Sequence, residues 1–163
     1  MEKKAEQEYH EHPDARFFVV GLVGRHYFQH KQIPIEEDFL YSSQKPTLQR
    51  ARQITVDLLE EVRNESVQEV YIIFTRMKNG LQSEPVMMKL LPLSREQFHH
   101  KDMGLPEGDE PEVPEEFFPD AVSVFNQLAP ITMQGIIFSA LTESYCAAVS
   151  YTHLRAHETG AYL

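Results

Sequence analysis

Two glycines close an apolar run. Phe17-Phe18-Val19-Val20 leads into Gly21 and Gly24, and Arg25, Tyr27 and Phe28 follow. Glycines where a strand turns into a helix can let backbone N–H groups close around a phosphate, with the helix N-terminus adding its field. A dinucleotide fingerprint needs G-x-G-x-x-G with an acid about 20 residues further on. Here the spacing is G-x-x-G, no third glycine follows, and no Walker lysine–hydroxyl pair is present. The same glycines also allow a tight turn and close helix approach with no ligand. The residues alone leave two readings open: a free-standing α/β nucleotide-binding enzyme using the Gly21–Gly24 turn, or a packing turn in a scaffold.

The other chemically capable residues are scattered. His10 and His12 form H-x-H, and His99 and His100 are adjacent. Neither pair has a second cluster at metal-ligand spacing on a rigid support, so both read as solvated loop histidines and no metal is expected. Cys146 falls on a helix with no basic neighbour to lower its pKa. The acids between Glu107 and Glu116 lack the alternating D-x-D-x-D-G pattern of a calcium loop. Met87-Met88 reads as core filling. No catalytic residues and no cofactor are expected.

Bulk composition narrows the classes further. The chain has 163 residues, 42% of them hydrophobic, which is enough for one domain with a real core. With 25 acids against 15 Lys and Arg the formal charge is −10, which argues against a nucleic-acid binder. One cysteine excludes an intrachain disulfide and fits a reducing, cytoplasmic setting. The N-terminal stretch has no apolar signal-peptide core. No run approaches the ~18 apolar residues of a membrane span, so no direct membrane insertion is expected.

The elements that must position these residues can be read from period and punctuation. Met1 to His12 reads as the end of a helix that has lost its beginning, closed by Pro13-Asp14. Arg16 to Val20 reads as a buried strand, Gly24 to His30 as a short helix, and Ile33-Pro34-Ile35 as an extended segment beside the first strand. Thr47 is an N-cap for a helix to about Arg63, with Leu48, Ala51, Thr55, Leu58 and Val62 on one face. Glu69–Thr75 and Glu84–Leu93 read as strands around a turn at Lys78-Asn79-Gly80. The alternation of strand and helix implies an α/β fold, a small β-α-β sheet domain with parallel crossovers and flanking helices. Residues 94–118 read as an acidic, proline-rich loop. Beyond it a helical tract runs to about Ala148, interrupted or restarted at Pro130. Its residues Ile131, Gly135, Phe138, Leu141 and Tyr145 recur at intervals of three and four, so the C-terminal helix is expected to form a coiled coil.

Several short motifs fall in a shared order. Val20-Gly21, Gly24-Arg25, Tyr27-Phe28, Ile33-Pro34, Pro46-Thr47, Glu69-Val70-Tyr71, Thr75-Arg76-Met77 and Leu90-Leu91-Pro92-Leu93 follow one another, and Phe138 to Ala147 reads "FSALTESYCA". This series resembles the gamma subunit of the F-type ATP synthase, over about Ala15 to Ala147. The resemblance implies a central-stalk rotor subunit of a proton-translocating enzyme, which couples ring rotation to conformational change in the catalytic hexamer and performs no catalysis itself. It implies as partners the alpha and beta subunits, the epsilon subunit and the membrane c-ring, with a peripheral place on the cytoplasmic face of the energy-transducing membrane. It makes the Gly21–Gly24 turn a packing turn and Arg25 an outward cation or a partner contact. Phe117 and Phe118 are expected where the foot of the stalk meets the ring or epsilon. Ile131, Phe138, Leu141 and Tyr145 are expected along the coil seam.

The resemblance also divides the chain: 1–93 a foot domain truncated at its N-terminus, 94–118 the acidic loop, 119–147 the coil helix, and 148–163 a non-native tail. The family's long N-terminal helix is expected upstream. The tail, "AVSYTHLRAHETGAYL", breaks the heptad pattern and looks like translated sequencing-adapter DNA. Resequencing the locus should restore an acid, Ala-Arg-Met and a further helix after Ala147; a native gene ending at Leu163 as written would rule this out.

Overall fold

A computed structural model describes residues 1–64, 67–79, 82–92 and 121–160. Four helices and two strands follow one another: α1 (Glu2–Glu11), α2 (Leu22–His30), α3 (Leu48–Arg63), β1 (Val70–Asn79), β2 (Gln82–Leu91) and α4 (Ala121–Gly160). The mixture of helix and sheet agrees with the α/β expectation, but the sheet differs from it. β1 and β2 form a two-stranded antiparallel hairpin, with Ile72 opposite Met88 and Phe74 opposite Val86. The physical reason is the connection: two residues, 80 and 81, separate the strands, whereas a parallel crossover needs about a dozen or more. Lys78 and Asn79, expected in the turn, are the last residues of β1.

The segment expected as a first strand, Arg16 to Val20, has no regular strand structure. It lies beside residues 36–41 with one bond near each end. The Glu36 N–H donates to the Phe17 carbonyl at 2.9 Å and the Gly21 N–H to the Tyr41 carbonyl at 2.8 Å. The two stretches advance by four and five residues between these bonds, so a regular register cannot run through them. The carbonyls that a ladder would use are also taken. Arg25, buried in α2, donates to the carbonyls of Glu36, Glu37 and Phe39 at 3.1, 3.0 and 3.0 Å. The expectation that Arg25 points outward is therefore corrected: a guanidinium fork satisfies several carbonyls of an irregular segment at once, which is why it is inside.

Side chains of the extended segment alternate between two cores. Phe18 and Val20 pack against a cluster of Phe39, Ala51, Ile54, Leu58, Leu90, Met133 and Ile137. Phe17 and Val19 pack against a second cluster of Ala5, Phe28 and Ile33. β1 reaches both clusters, through Ile72 and Ile73 respectively. Arg16 ties the segment to α3: its guanidinium donates to Glu36 and Glu61, each at 2.6 Å, and these bonds, Glu36 first, raise its pKa further.

The helices follow local rules. Thr47 is extended and its side chain accepts from the Arg50 N–H at 3.2 Å, which starts α3. Ala51, Thr55 and Leu58 are buried as the pattern indicates and Ile54 joins them, while Leu48 stays exposed. α1 docks on α2 through Glu6, which accepts from Tyr27 at 2.7 Å and Lys31 at 3.0 Å. The Tyr27 hydroxyl first, and then Lys31, hold Glu6 below the usual carboxylate range. This link is present above that range and is lost as pH falls through the lowered value. α4, roughly 60 Å long at 1.5 Å per residue, packs on α3 and the hairpin, and the Thr75 N–H donates to Ser144 Oγ at 3.1 Å. Its helical backbone passes through Pro130 and continues beyond Ala147 to Gly160. The expected loop 94–118 lies outside the described residues.

Removal of the Arg25 fork takes the donor from one buried and two part-buried carbonyls, and a buried one left unpaired costs about 1–3 kcal/mol. Arg25→Ala should lower the unfolding free energy in urea by about 3 kcal/mol, with Arg25→Lys recovering only part, because an ammonium cannot reach three carbonyls in a fork. Equal stability of wild type and Arg25→Lys would show that the fork is dispensable.

Candidate partner interface

The glycine turn is built for close packing. Gly21 sits at φ +91°, a conformation that L side chains rarely adopt. A Cβ there would stand 2.6 Å from Ser43 Oγ and 2.9 Å from Ser43 Cβ. A Cβ's worth of space at Gly24 is bounded by Val19 Cγ1 at 3.0 Å, so α2 lies directly on the extended segment. The Gly21 N–H, which a phosphate-binding turn would offer, donates instead to the Tyr41 carbonyl. An apolar cavity of about 780 Å³ lies nearby, lined by Phe17, Val20, Leu58, Phe74 and Leu90 among others. Arg16 and Glu61, which also border it, are engaged with each other. Tyr41 donates to Asp57 at 2.8 Å, and burial, followed by this bond, pushes its pKa up to about 12.

The remaining sequence candidates do not converge. His12 stands with Glu8 and Glu11, whose ligand atoms lie within 4.8 Å of one another, on the exposed end of α1; His10 is not in that group. Cys146 is exposed on α4. His99, His100, the acids of 107–116, Phe117 and Phe118 lie outside the described residues.

α4 carries apolar residues on two sides. Met133, Ile137, Ala140 and Ala147 are buried, and with Ser144 they form the 4-3-4-3 series that meets α3 and the hairpin. Ile131, Gly135, Phe138, Leu141 and Tyr145 form a different series. At about 100° per residue, Ile131 and Gly135 lie nearly opposite the buried series, while Phe138, Tyr145 and Leu141 lie progressively nearer its flank. Ile131 is 67% exposed and a Cβ at Gly135 would meet nothing within 4 Å. Phe138 and Leu141 are partly buried against the first core cluster, and Tyr145 is half-buried. Leu128 and Val149 add to the exposed apolar residues of this helix. Sequence reading singled out the outer series and missed the inner one, although the inner spacing is the more regular of the two. Small residues at 140, 144 and 147 hid it, because close helix–sheet approach needs small side chains that weigh little on a hydrophobicity pattern.

Among the described residues, no helix is long and apolar enough to cross a membrane.

For the turn, Gly21→Ala should lower stability by about 2 kcal/mol, from the backbone strain at positive φ together with the Ser43 clash. Adding Ser43→Gly should restore the steric part only, and ATP or NAD should leave the melting temperature of the wild-type chain unchanged. A ligand-induced rise would favour the nucleotide reading.

A family model described as ATP synthase matches residues 1–153. The "ATP synthase gamma chain" of Caldanaerobacter subterraneus subsp. tengcongensis is 33% identical over 152 residues, 88% of this chain and 50% of that protein. The protein of the same name from Acetivibrio thermocellus is 34% identical over 134 residues, 81% of this chain and 45% of its own length. An "ATP synthase gamma chain, sodium ion specific" from Acetobacterium woodii is 33% identical over 95 residues, 58% of this chain and 32% of that protein. The chain thus spans about half the length of the first two of these relatives. With that match over most of its residues, the chain belongs to the ATP synthase family, among the gamma chains.

Proposed function

We propose that this chain acts in the central stalk of an F-type ATP synthase, as the body and one coil helix of the rotor subunit. Cation movement through a membrane ring turns the stalk, and the asymmetric coil biases each beta subunit among its binding states, a mechanical population shift. The chain transmits torque and makes or breaks no bond itself. Its partners in this reading are the alpha and beta subunits, epsilon and the c-ring, at the cytoplasmic face of the membrane. Phe117 and Phe118 face the ring or epsilon, and the outer series of α4, with Ile131, Phe138, Leu141 and Tyr145, forms the coil seam.

One observation carries the reading: in a chain of this family, α4 is apolar on a second side after its first has been covered. A helix apolar nearly all round is stable in water only when both sides are buried, and Ile131, at 67% exposed, waits for the second cover. The nucleotide-binding alternative is not favoured, because the Gly21 N–H that it would use donates to the Tyr41 carbonyl.

Exposure separates the two kinds of seam variant. Ile131→Asp should change the stability of the isolated chain by no more than about 0.5 kcal/mol, yet block reconstitution of the completed subunit with alpha and beta. Phe138→Asp should lower the melting temperature of the chain itself, since that ring also packs on the core. Wild-type assembly and ATP synthesis with Ile131→Asp would overturn the seam.

A further inference from the structure

α3 and α4 border a trough of about 370 Å³ whose walls include Arg52, Val56, Leu59 and Arg63 from α3 and Pro130 and Ile131 from α4. The four α3 residues recur at 4-3-4 spacing and so share one face. Thr55 and Gln134 also line it, and Val56 and Ile131, 47% and 67% exposed, put apolar side chains open to water in its walls. Arg52 and Arg63 stand near its two ends, eleven positions apart, about 16 Å along the helix.

The arginines decide what the trough is for. Arg16 and Arg76 pair with acids, and Arg25 and Arg50 donate to backbone carbonyls. Arg52 and Arg63 have neither kind of partner among the described residues, in a chain whose formal charge is −10. Glu60, exposed on the same helix, pairs with neither of them. Two guanidinium groups without partners among the described residues, flanking exposed Val56 and Ile131, form a complementary surface for a segment with an apolar stripe and carboxylates three helical turns apart. A trough between two helices accepts a third helix by seating its i, i+3, i+4, i+7 residues.

We propose that the α3–α4 groove docks an acidic amphipathic helix of a partner protein, with its apolar stripe on Val56, Leu59 and Ile131 and its carboxylates on Arg52 and Arg63. The groove shares Ile131 with the coil seam. The inference rests on the groove's own chemistry and holds whether or not the chain turns in a rotor.

The test uses the full chain and a fluorescein-labelled peptide of about 18 residues, long enough to span the groove as a helix. It carries leucines at heptad spacing and two glutamates eleven positions apart, to match Arg52 and Arg63. Anisotropy should show saturable binding that weakens about tenfold when both glutamates become glutamine, and by a similar factor in Arg52→Gln/Arg63→Gln. Raising salt should weaken the glutamate peptide and leave the glutamine peptide little changed. The peptide swaps leave the protein untouched, so the result does not depend on how the arginine variant folds. Equal binding of the two peptides, or no saturable binding by either, would overturn the proposal. So would tighter binding by a peptide of residues 107–118, which would make the chain's own acidic run the occupant. Concentration-dependent dimerisation abolished by Ile131→Asp, with no peptide binding, would replace the partner helix by a second copy. Failure of assembly with Ile131→Asp while the arginine variant assembles normally would leave the seam standing apart from this groove.

Discussion

Four apolar residues have to be buried on both sides at once, without the hydrogen-bond ladder that usually makes such burial possible. Phe17 to Val20 separates two clusters, sending alternate side chains into each. Its backbone has one bond near each end to residues 36–41, and the rest of that neighbouring stretch is held by Arg25. A buried guanidinium is tolerated because its charge is spread over a planar fork that finds three carbonyl acceptors. Charge and irregular backbone solve each other's problem: the carbonyls lack strand partners, and the cation lacks an acid.

The same economy runs outward from this segment. Arg16, just before it, joins Glu36 and Glu61, so the extended layer is tied to α3 at its start. Gly21, just after it, lets the chain turn at positive φ against Ser43, and Gly24 brings α2 down onto Val19. α1 is then added through Ala5 and the Glu6–Tyr27–Lys31 contact. On the other side, α3 and the hairpin form the surface that α4 covers with Met133, Ile137 and Ala140. This member of the ATP synthase family thus has a body with two core clusters and a long helix with exposed apolar residues to spare.

The outer face of α4 and the α3 arginines belong to one argument about surfaces. An exposed isoleucine alone means little, since folded surfaces are more than half apolar. A series of apolar positions along one side of a helix, opposite a side already buried, means more. Two cations with no ion pair among the described residues mean more again, in an acidic chain where Arg16, Arg76, Lys31 and Lys89 are paired.

Local physics made much of this legible from the residues. The Thr47 cap, the buried positions of α3 and the existence of both strands all follow from short-range rules: side-chain capping, helical period and β-branched composition. The order of motifs was enough to place the chain in its family. What sequence could not decide was pairing. Parallel or antiparallel depended on two residues between β1 and β2; strand or bare extension at Phe17–Val20 depended on where Arg25 sent its donors. Which side of α4 faces inward depended on small residues fitting closely against α3 and β1. Periodicity and composition are properties of one segment, and they fixed what each segment is. Which segment satisfies another's backbone, and which of two apolar faces is covered, are properties of pairs distant in the chain, and only the assembled tertiary structure chooses among them.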